Sequence, residues 1–262
     1  MAPAPIFLRG DIVNDLFGNL KDRAIARLRE FEPPEGYYLA YSGGKDSDVI
    51  LNLARMAGVK FEAHHHLTTC DPPELVYHVR DQKDVVIDKP AETMWQLIRR
   101  KKMPPRRQAR YCCEVLKEGG GSGRIVVTGV RWGESHRRSK RRMVEACMRD
   151  KSKHYLHPII DWKDTEVWEF IRSENIDYCK LYDEGFKRLG CVLCPMRRDV
   201  QRQMKRWPRI ARAWERAIKA TFQPDKGKRF KFQSAQEYWE WWLDRDAPSM
   251  KKDDNQMMFF DD

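Results

Sequence analysis

No stretch of this chain stays apolar for anything near the ~20 residues that a membrane-spanning helix needs, so a helical membrane protein is not expected. The first residues, Met1 to Arg9, lack the basic region and long apolar stretch of a secretory leader. A cytoplasmic protein with no membrane partner is the expectation, and thiols stay reduced there. The seven cysteines therefore read as ligands, catalysts or buried thiols, not as disulfides. There is no internal repeat and no long low-complexity tract. Disorder does not fit either: 41% hydrophobic against 34% charged residues is polar but globular. Acidic residues are outnumbered, leaving a formal charge of +11.

The excess cations are clustered. Arg99 to Lys102 with Arg106, Arg107 and Arg110 form one run. Arg131, Arg137, Arg138 and Lys140 to Arg142 form a second, and Arg197, Arg198, Arg202, Lys205, Arg206 and Arg209 a third. A nucleic acid, DNA or tRNA, is one partner such clusters suit, because they release condensed counterions on meeting phosphates. Solvated helix faces beside a pocket for one charged nucleotide are the other reading.

Residues 12–31 carry apolar side chains at helical spacing, and Pro33-Pro34-Glu35-Gly36 stops that helix. Tyr37 to Tyr41 reads as a strand, Ser42 to Ser47 as a turn and Ser47 to Ala57 as a helix ended by Gly58. Val59 to Leu67 reads as a second strand. This is a βαβ unit, so the expected fold class is α/β: a parallel sheet with helices on both faces. Val85 to Ile87 and Ile125 to Thr128 read as further strands, Thr93 to Lys102 and Thr165 to Glu174 as helices, and Gly119 to Gly123 as a flexible surface loop. From about residue 199 the pattern is helical and rich in Trp and Arg. The expected organisation is an N-terminal helical segment (1–36), a nucleotide-binding domain (37–198) and a helical C-terminal region with a loose tail (199–262).

Strand, then Ser42-Gly43-Gly44-Lys45-Asp46-Ser47, then helix is the strongest signal. The glycines let backbone N–H groups approach an anion closely. The helix start adds unpaired donors and the positive end of its dipole. Ser42 and Ser47 add hydroxyls, Lys45 a charge for polyphosphate, and Asp46 a carboxylate for Mg²⁺ or for fixing the loop. This is not a Walker A loop, which needs glycine at Leu39 and Ser or Thr at Asp46. Nor is it a dinucleotide fingerprint, which needs a third glycine. Arg131 and Arg138 lie just past the strand that ends at Thr128, where an open α/β sheet binds ligands, and suit bidentate pairing with phosphate or sulfate.

The loop resembles the PP-loop of the adenine-nucleotide α-hydrolase-like ATP pyrophosphatases. Within that superfamily the chain is similar to the phosphoadenosine-phosphosulfate reductase family from about Tyr37 to Met196. Four further stretches carry the resemblance: Thr68 to Glu74; Thr128-Gly129-Val130-Arg131 with Glu134, Ser135 and Arg138; His157 to Trp162 with Val167-Trp168; and Leu181 to Gly185 leading to Gly190 to Pro195. The resemblance implies that Ser42 to Ser47 hold the phosphates of ATP or another adenylyl nucleotide with Mg²⁺, and that Gly129, Arg131 and Arg138 lie near it. It makes Lys45, Asp46 and Arg131 the candidate catalytic residues.

Cys112-Cys113 and Cys191-x-x-Cys194 form the second signal, since four thiolates suit Zn²⁺ or an iron–sulfur cluster. Adjacent cysteines are unusual for a zinc ribbon, because neighbouring side chains diverge. Similar tandem-plus-knuckle sets occur in adenylyl-sulfate reductases with a 4Fe–4S cluster and in the PP-loop proteins of DNA phosphorothioation. A 4Fe–4S cluster is therefore expected, with zinc as the alternative and four buried thiols as the bland one. Cys70, Cys147 and Cys179 remain; Cys179 and Cys70 read as buried residues, although Cys70 follows the second strand and has the option of facing the nucleotide.

The chain departs from the reductases at their central residue. Sulfonucleotide reductases attack sulfur with a cysteine on a C-terminal segment, and no cysteine follows Cys194 here. The expected activity is therefore ATP-dependent adenylation of an acceptor with pyrophosphate release, coupled to sulfur transfer onto nucleic acid. The partner would be a cysteine desulfurase or a thioredoxin-type donor, with the cluster delivering sulfur. A sulfonucleotide reductase with another thiol source is the alternative. A nucleotide- or nucleic-acid-binding module with a structural cluster is the non-enzymatic one.

Overall fold

A computed structural model describes residues 19–223 and 232–244. The first helix, α1 (Leu20–Glu30), starts where the Asn19 side chain accepts the Asp22 N–H. Residues 12–18 of the expected helix and the expected loose tail lie outside the described residues. The chain folds into two compact units. Of the described residues, one comprises 19–67, 71–89 and 117–190; the other comprises 68–70, 90–116, 191–223 and 232–244.

The first unit is built on a six-stranded sheet. Its strands are β1 (Tyr37–Ala40), β2 (Phe61–His66), β3 (Val85–Asp88), β4 (Ile125–Val127), β5 (Val144–Ala146) and β6 (His154–Leu156), in the order β3-β2-β1-β4-β6-β5. Every pairing is parallel except β5 with β6. The two short strands of that hairpin give no sequence signal, since Val144-Glu145-Ala146 and His154-Tyr155-Leu156 are too brief for a period. They add an antiparallel edge to the expected parallel sheet. Helix α2 (Lys45–Ala57) packs against α1 and against α6 (Asp164–Ser173), while α3 (Pro73–Asp81) follows β2. Leu39, Ile50, Leu53, Val127, Leu156, Val167 and Ile171 form part of a continuous apolar core.

Helix α2 begins at Lys45, two residues earlier than the expected Ser47, because the Gly44 carbonyl accepts both the Ser47 and the Asp48 N–H groups. Lys45, Asp46 and Ser47 thus form a first helical turn. The glycine-rich stretch 119–123 is not a free linker. A Cβ on Gly120 would collide with the Tyr38 hydroxyl, and Gly121 (φ +76) packs on Val126 and Tyr38.

The second unit is helical: α4 (Met94–Lys101), α5 (Tyr111–Leu116), α7 (Val200–Arg206), α8 (Pro208–Lys219) and α9 (Ala235–Leu243). Thr93 and Gln96 form a capping box at the start of α4. Trp214 is fully buried, edge-on to Trp95 at 5.3 Å and stacked on Trp242 at 4.9 Å. The indole N–H groups of Trp214 and Trp242 donate to the carbonyls of Val192 and Pro105. Two members of the first basic run are structural: Arg106 lies 4.3 Å over the Trp241 ring, and Arg100 pairs with Glu92. No helix among the described residues is long and apolar enough to cross a membrane.

Candidate functional site

The chain adds β2 and β3 on one side of β1 and then returns to place β4 on the other, so β1 and β4 flank a topological switch point. Ligands in open α/β sheets bind beyond the strand carboxyl ends at such a point. A cleft of roughly 720 Å³ lies there, lined by Ser42, Gly44, Lys45, Asp46 and Ser47 after β1 and by Thr128, Gly129, Val130 and Arg131 after β4. Glu134, Arg138, Lys163, Asp164, Tyr182, Lys187 and Arg188 complete it. That volume is within the usual ~300–1,000 Å³ of small-ligand sites.

At its floor two buried cations meet two carboxylates. Lys45 Nζ is 3.0 Å from Asp46 Oδ2 and 2.9 Å from Asp164 Oδ1. Arg131 donates from Nε to Asp46 Oδ1 at 2.7 Å, from Nη2 to Asp164 Oδ1 at 2.9 Å and from Nη1 to the Trp162 carbonyl at 3.3 Å. The cation side chains are 7% and 4% exposed, whereas Asp164 is 63% exposed. Burial works against the Arg131 charge, but Asp46, Glu134 and Asp164 outweigh it and raise its pKa above the ordinary arginine value. Burial likewise pushes the Asp164 carboxyl up, and the hydrogen bonds and charges of Lys45 and Arg131 pull it below the usual range. Arg138 pairs with Glu134, which also accepts the Arg131 backbone N–H.

The glycines of the site serve different geometries. Gly43 has φ +73, and a Cβ there would press within 2.7 Å of Leu75 and Val79 on α3. Gly44 has an ordinary extended backbone; a Cβ would sit 3.3 Å from the Tyr182 hydroxyl. A Cβ on Gly129 would sit 2.8 Å from the Asp46 carbonyl oxygen, so Gly129 lets the β4 loop close against the start of α2. The Ser42 hydroxyl donates to Ser47 Oγ, which donates to the Gly44 carbonyl. The Lys45 N–H donates to the Tyr182 hydroxyl at 3.0 Å.

Ser42, Gly44, Lys45, Asp46, Ser47, Gly129, Arg131 and Arg138 of the expected nucleotide residues line this one cleft, and Gly43 packs against α3. Sequence reasoning missed Asp164 and Tyr182. Asp164 reads in the sequence as an ordinary acidic start to α6, and Tyr182 lies in a stretch without periodicity. Their proximity to Lys45 comes only from the fold.

Cys112 and Cys113 lie on α5, and Cys191 and Cys194 in a turn where the Cys194 N–H donates to the Cys191 carbonyl. Leu193 has φ +56, and its N–H donates to the buried Gln203 side chain. The Cys112 thiol is pushed up by its hydrogen bond with Cys113, by burial, and by the nearby Cys113, Cys191 and Cys194. The fold thus gathers all four into one region of the second unit. Among the described residues, no group of three or more His, Cys, Asp or Glu side chains stands in metal-holding geometry. The donor set is all thiol, which is the chemistry of iron–sulfur and zinc sites. Cys70 is buried beside them: its carbonyl accepts the Val192 N–H, and Thr68 Oγ1 lies 3.3 Å from both Cys70 Sγ and Cys191 Sγ. It belongs to the second unit and does not line the cleft.

Comparison with known proteins agrees with this architecture. Residues 36–197 match the phosphoadenosine phosphosulfate reductase domain. An uncharacterized protein of Methanocaldococcus jannaschii is 28% identical over 204 residues, which cover 69% of this chain and 41% of that protein. The adenosine 5'-phosphosulfate reductase of Oceanobacillus iheyensis is 34% identical over 94 residues, covering 34% of this chain and 39% of that enzyme. The chain spans less than half the length of these curated relatives. A phosphoadenylyl-sulfate reductase of Candida auris, solved as a phosphate complex, superposes with a TM-score of 0.50 at 19% identity, covering 72% of this chain and 98% of that one; the likeness is one of fold. With the family match running through more than half of its length, this chain belongs to the phosphoadenosine phosphosulfate reductase domain family.

Proposed function

We propose that the cleft binds ATP with Mg²⁺ and that the protein adenylates an acceptor for sulfur transfer to nucleic acid. The observation that carries the nucleotide reading is the pair of buried cations, Lys45 and Arg131, at the β1–β4 switch point. A buried cation needs a partner, and here Asp46 and Asp164 supply it. Phosphate oxygens entering the cleft would take over Lys45 and Arg131, leaving the two carboxylates to hold Mg²⁺. Ser42, Gly43, Gly44 and Ser47 would shape the loop around the phosphates, and Arg138 would meet their outer oxygens.

In this reading an acceptor oxygen attacks the α-phosphorus. The bond to the α–β bridging oxygen breaks, and pyrophosphate leaves with the electron pair on that oxygen, a charge that Mg²⁺ held by Asp46 and Asp164 would neutralise. Lys45 and Arg131 stabilise the charge that develops on the transferred phosphoryl group. The terminal sulfur of a desulfurase-type persulfide then displaces AMP, which departs with the acceptor oxygen; a second thiol cleaves the sulfur–sulfur bond, leaving the sulfur on the acceptor and a disulfide on the donor side. Cys112, Cys113, Cys191 and Cys194 would hold a 4Fe–4S cluster, which when bound supplies electron-transfer and sulfide chemistry. The surplus of cations, with Arg137, Lys140 and Arg142 exposed, supports transfer to a nucleic acid over sulfonucleotide reduction.

The second reading is reduction of an adenylylated sulfate with a thiol from a partner. It is favoured by the 34% identity to an adenosine 5'-phosphosulfate reductase. One assay separates the two. ATP-dependent pyrophosphate release, stimulated by nucleic acid, is expected. Robust sulfite release from phosphoadenosine phosphosulfate with thioredoxin and without ATP would overturn the transfer reading.

A further inference from the structure

Trp132 is a large apolar side chain left 43% exposed. Lone surface apolar residues are common, but this one is fixed and placed. Its indole N–H donates to the Arg141 carbonyl at 2.8 Å, and its backbone N–H donates to the Ile160 carbonyl at 2.8 Å. The residue is therefore fixed through its backbone and through its indole nitrogen while much of the ring stays open to solvent. Its chain neighbours Arg131 and Gly133 both line the cleft. The short turn that carries it, Trp132–Glu134, packs on the turn Arg138–Lys140. Exposed Arg137, Lys140 and Arg142 follow on the same segment, and exposed Lys187 and Arg188 line the cleft itself.

We infer that Trp132 is a stacking platform for an unpaired base of a single-stranded nucleic acid, whose backbone follows the surrounding cations into the cleft. An aromatic face beside a cationic track is how single strands are held without sequence preference, since every base has a π-face. The N–H bond to Arg141 satisfies the indole's one polar atom and leaves its face for stacking. The ring is already ordered, so little conformational freedom is lost on binding. An acidic protein segment would use the cations but would leave the indole face idle. The inference rests on the nucleic-acid acceptor proposed above and names where that acceptor is gripped.

The test measures binding of a fluorescein-labelled single-stranded oligothymidylate by anisotropy across a salt series, alongside ATP binding by calorimetry. Trp132→Ala is expected to weaken the oligonucleotide on the order of ten- to a hundredfold, with the salt slope and the ATP affinity unchanged. Trp132→Phe, which keeps an aromatic face, is expected to recover most of the affinity and guards against misfolding of the alanine variant. Arg137→Gln with Lys140→Gln is expected to lower the salt slope by about one unit per lost phosphate contact. If the wild-type protein binds the oligonucleotide and Trp132→Ala binds it equally well, the platform is refuted while the nucleic-acid reading stands. If Trp132→Ala weakens ATP in parallel, the indole serves the nucleotide's adenine and the inference also fails. If the wild-type protein binds no oligonucleotide, both fall together.

Discussion

Arg131 shows how burial and charge set a residue's task. Its guanidinium is 4% exposed and spans Asp46 and Asp164 with separate nitrogens, which a lysine cannot reproduce. Arg131→Lys is expected to weaken ATP about tenfold and Arg131→Gln on the order of a hundredfold, because hydrogen bonds to charged partners are lost. Calorimetric titration of each folded variant checks this ranking, and equal affinities would remove Arg131 from the site. The glycines separate just as sharply. Gly129→Ala forces a Cβ against the Asp46 carbonyl, a rigid neighbour, and should destabilise the fold by about 1–3 kcal/mol in urea unfolding. Gly44→Ala meets only side-chain hydroxyls, Tyr182 at 3.3 Å and Ser42 at 3.6 Å, and should fold normally, whereas Gly44→Val should fold yet lose ATP by crowding the loop.

At the level of elements, the helix starts carry the chemistry. Helix α2 begins at Lys45, so Lys45, Asp46 and Ser47 of its first turn line the cleft, with the Lys45 N–H held by Tyr182. Helix α6 begins at Asp164, which puts a carboxylate at a positive helix end and against Lys45. Helix α1 is fastened by Arg27, which donates to both oxygens of Asp161, at 2.7 and 2.8 Å. Burial raises the Asp161 pKa, but the Arg27 hydrogen bonds and charge hold it below the usual aspartate value. A depressed carboxyl stabilises the fold above its unfolded pKa and loses that contribution as pH falls through the folded one. Stability should therefore decline below about pH 4, and Arg27→Gln should flatten that acid limb while lowering stability at neutral pH. Thermal melts across pH check the slope, and an unchanged limb would contradict the assignment.

For the whole molecule, the division into two units separates the two proposed sites. The nucleotide cleft belongs to the sheet-based unit, and the four gathered cysteines belong to the helical one. Anaerobic preparations are expected to carry iron and sulfide in near-equal, near-stoichiometric amounts, and Cys194→Ser should lose both while ATP affinity persists. Zinc without iron would instead assign the thiols to the alternative metal. A loss of ATP binding in Cys194→Ser would show that the two chemistries are not separable.

By itself the sequence determined the local devices. Strand, glycine-rich loop and helix are legible because Tyr37 to Ala57 carries its own periodicity and turn chemistry, and Thr93 announces α4 by its capping box. Cys112, Cys113, Cys191 and Cys194 were legible as a set from spacing and thiol chemistry. Tertiary structure alone decided which residues meet across long stretches of chain. It set Asp164 and Tyr182 against Lys45, folded Gly120 and Gly121 onto Tyr38, and gave Arg106 to Trp241. It also added the β5–β6 edge and grouped residues 90–116 with the C-terminal helices. The physical reason is the same throughout: periodicity and capping act over a few residues, whereas burial of a charge or a ring depends on partners brought together by packing.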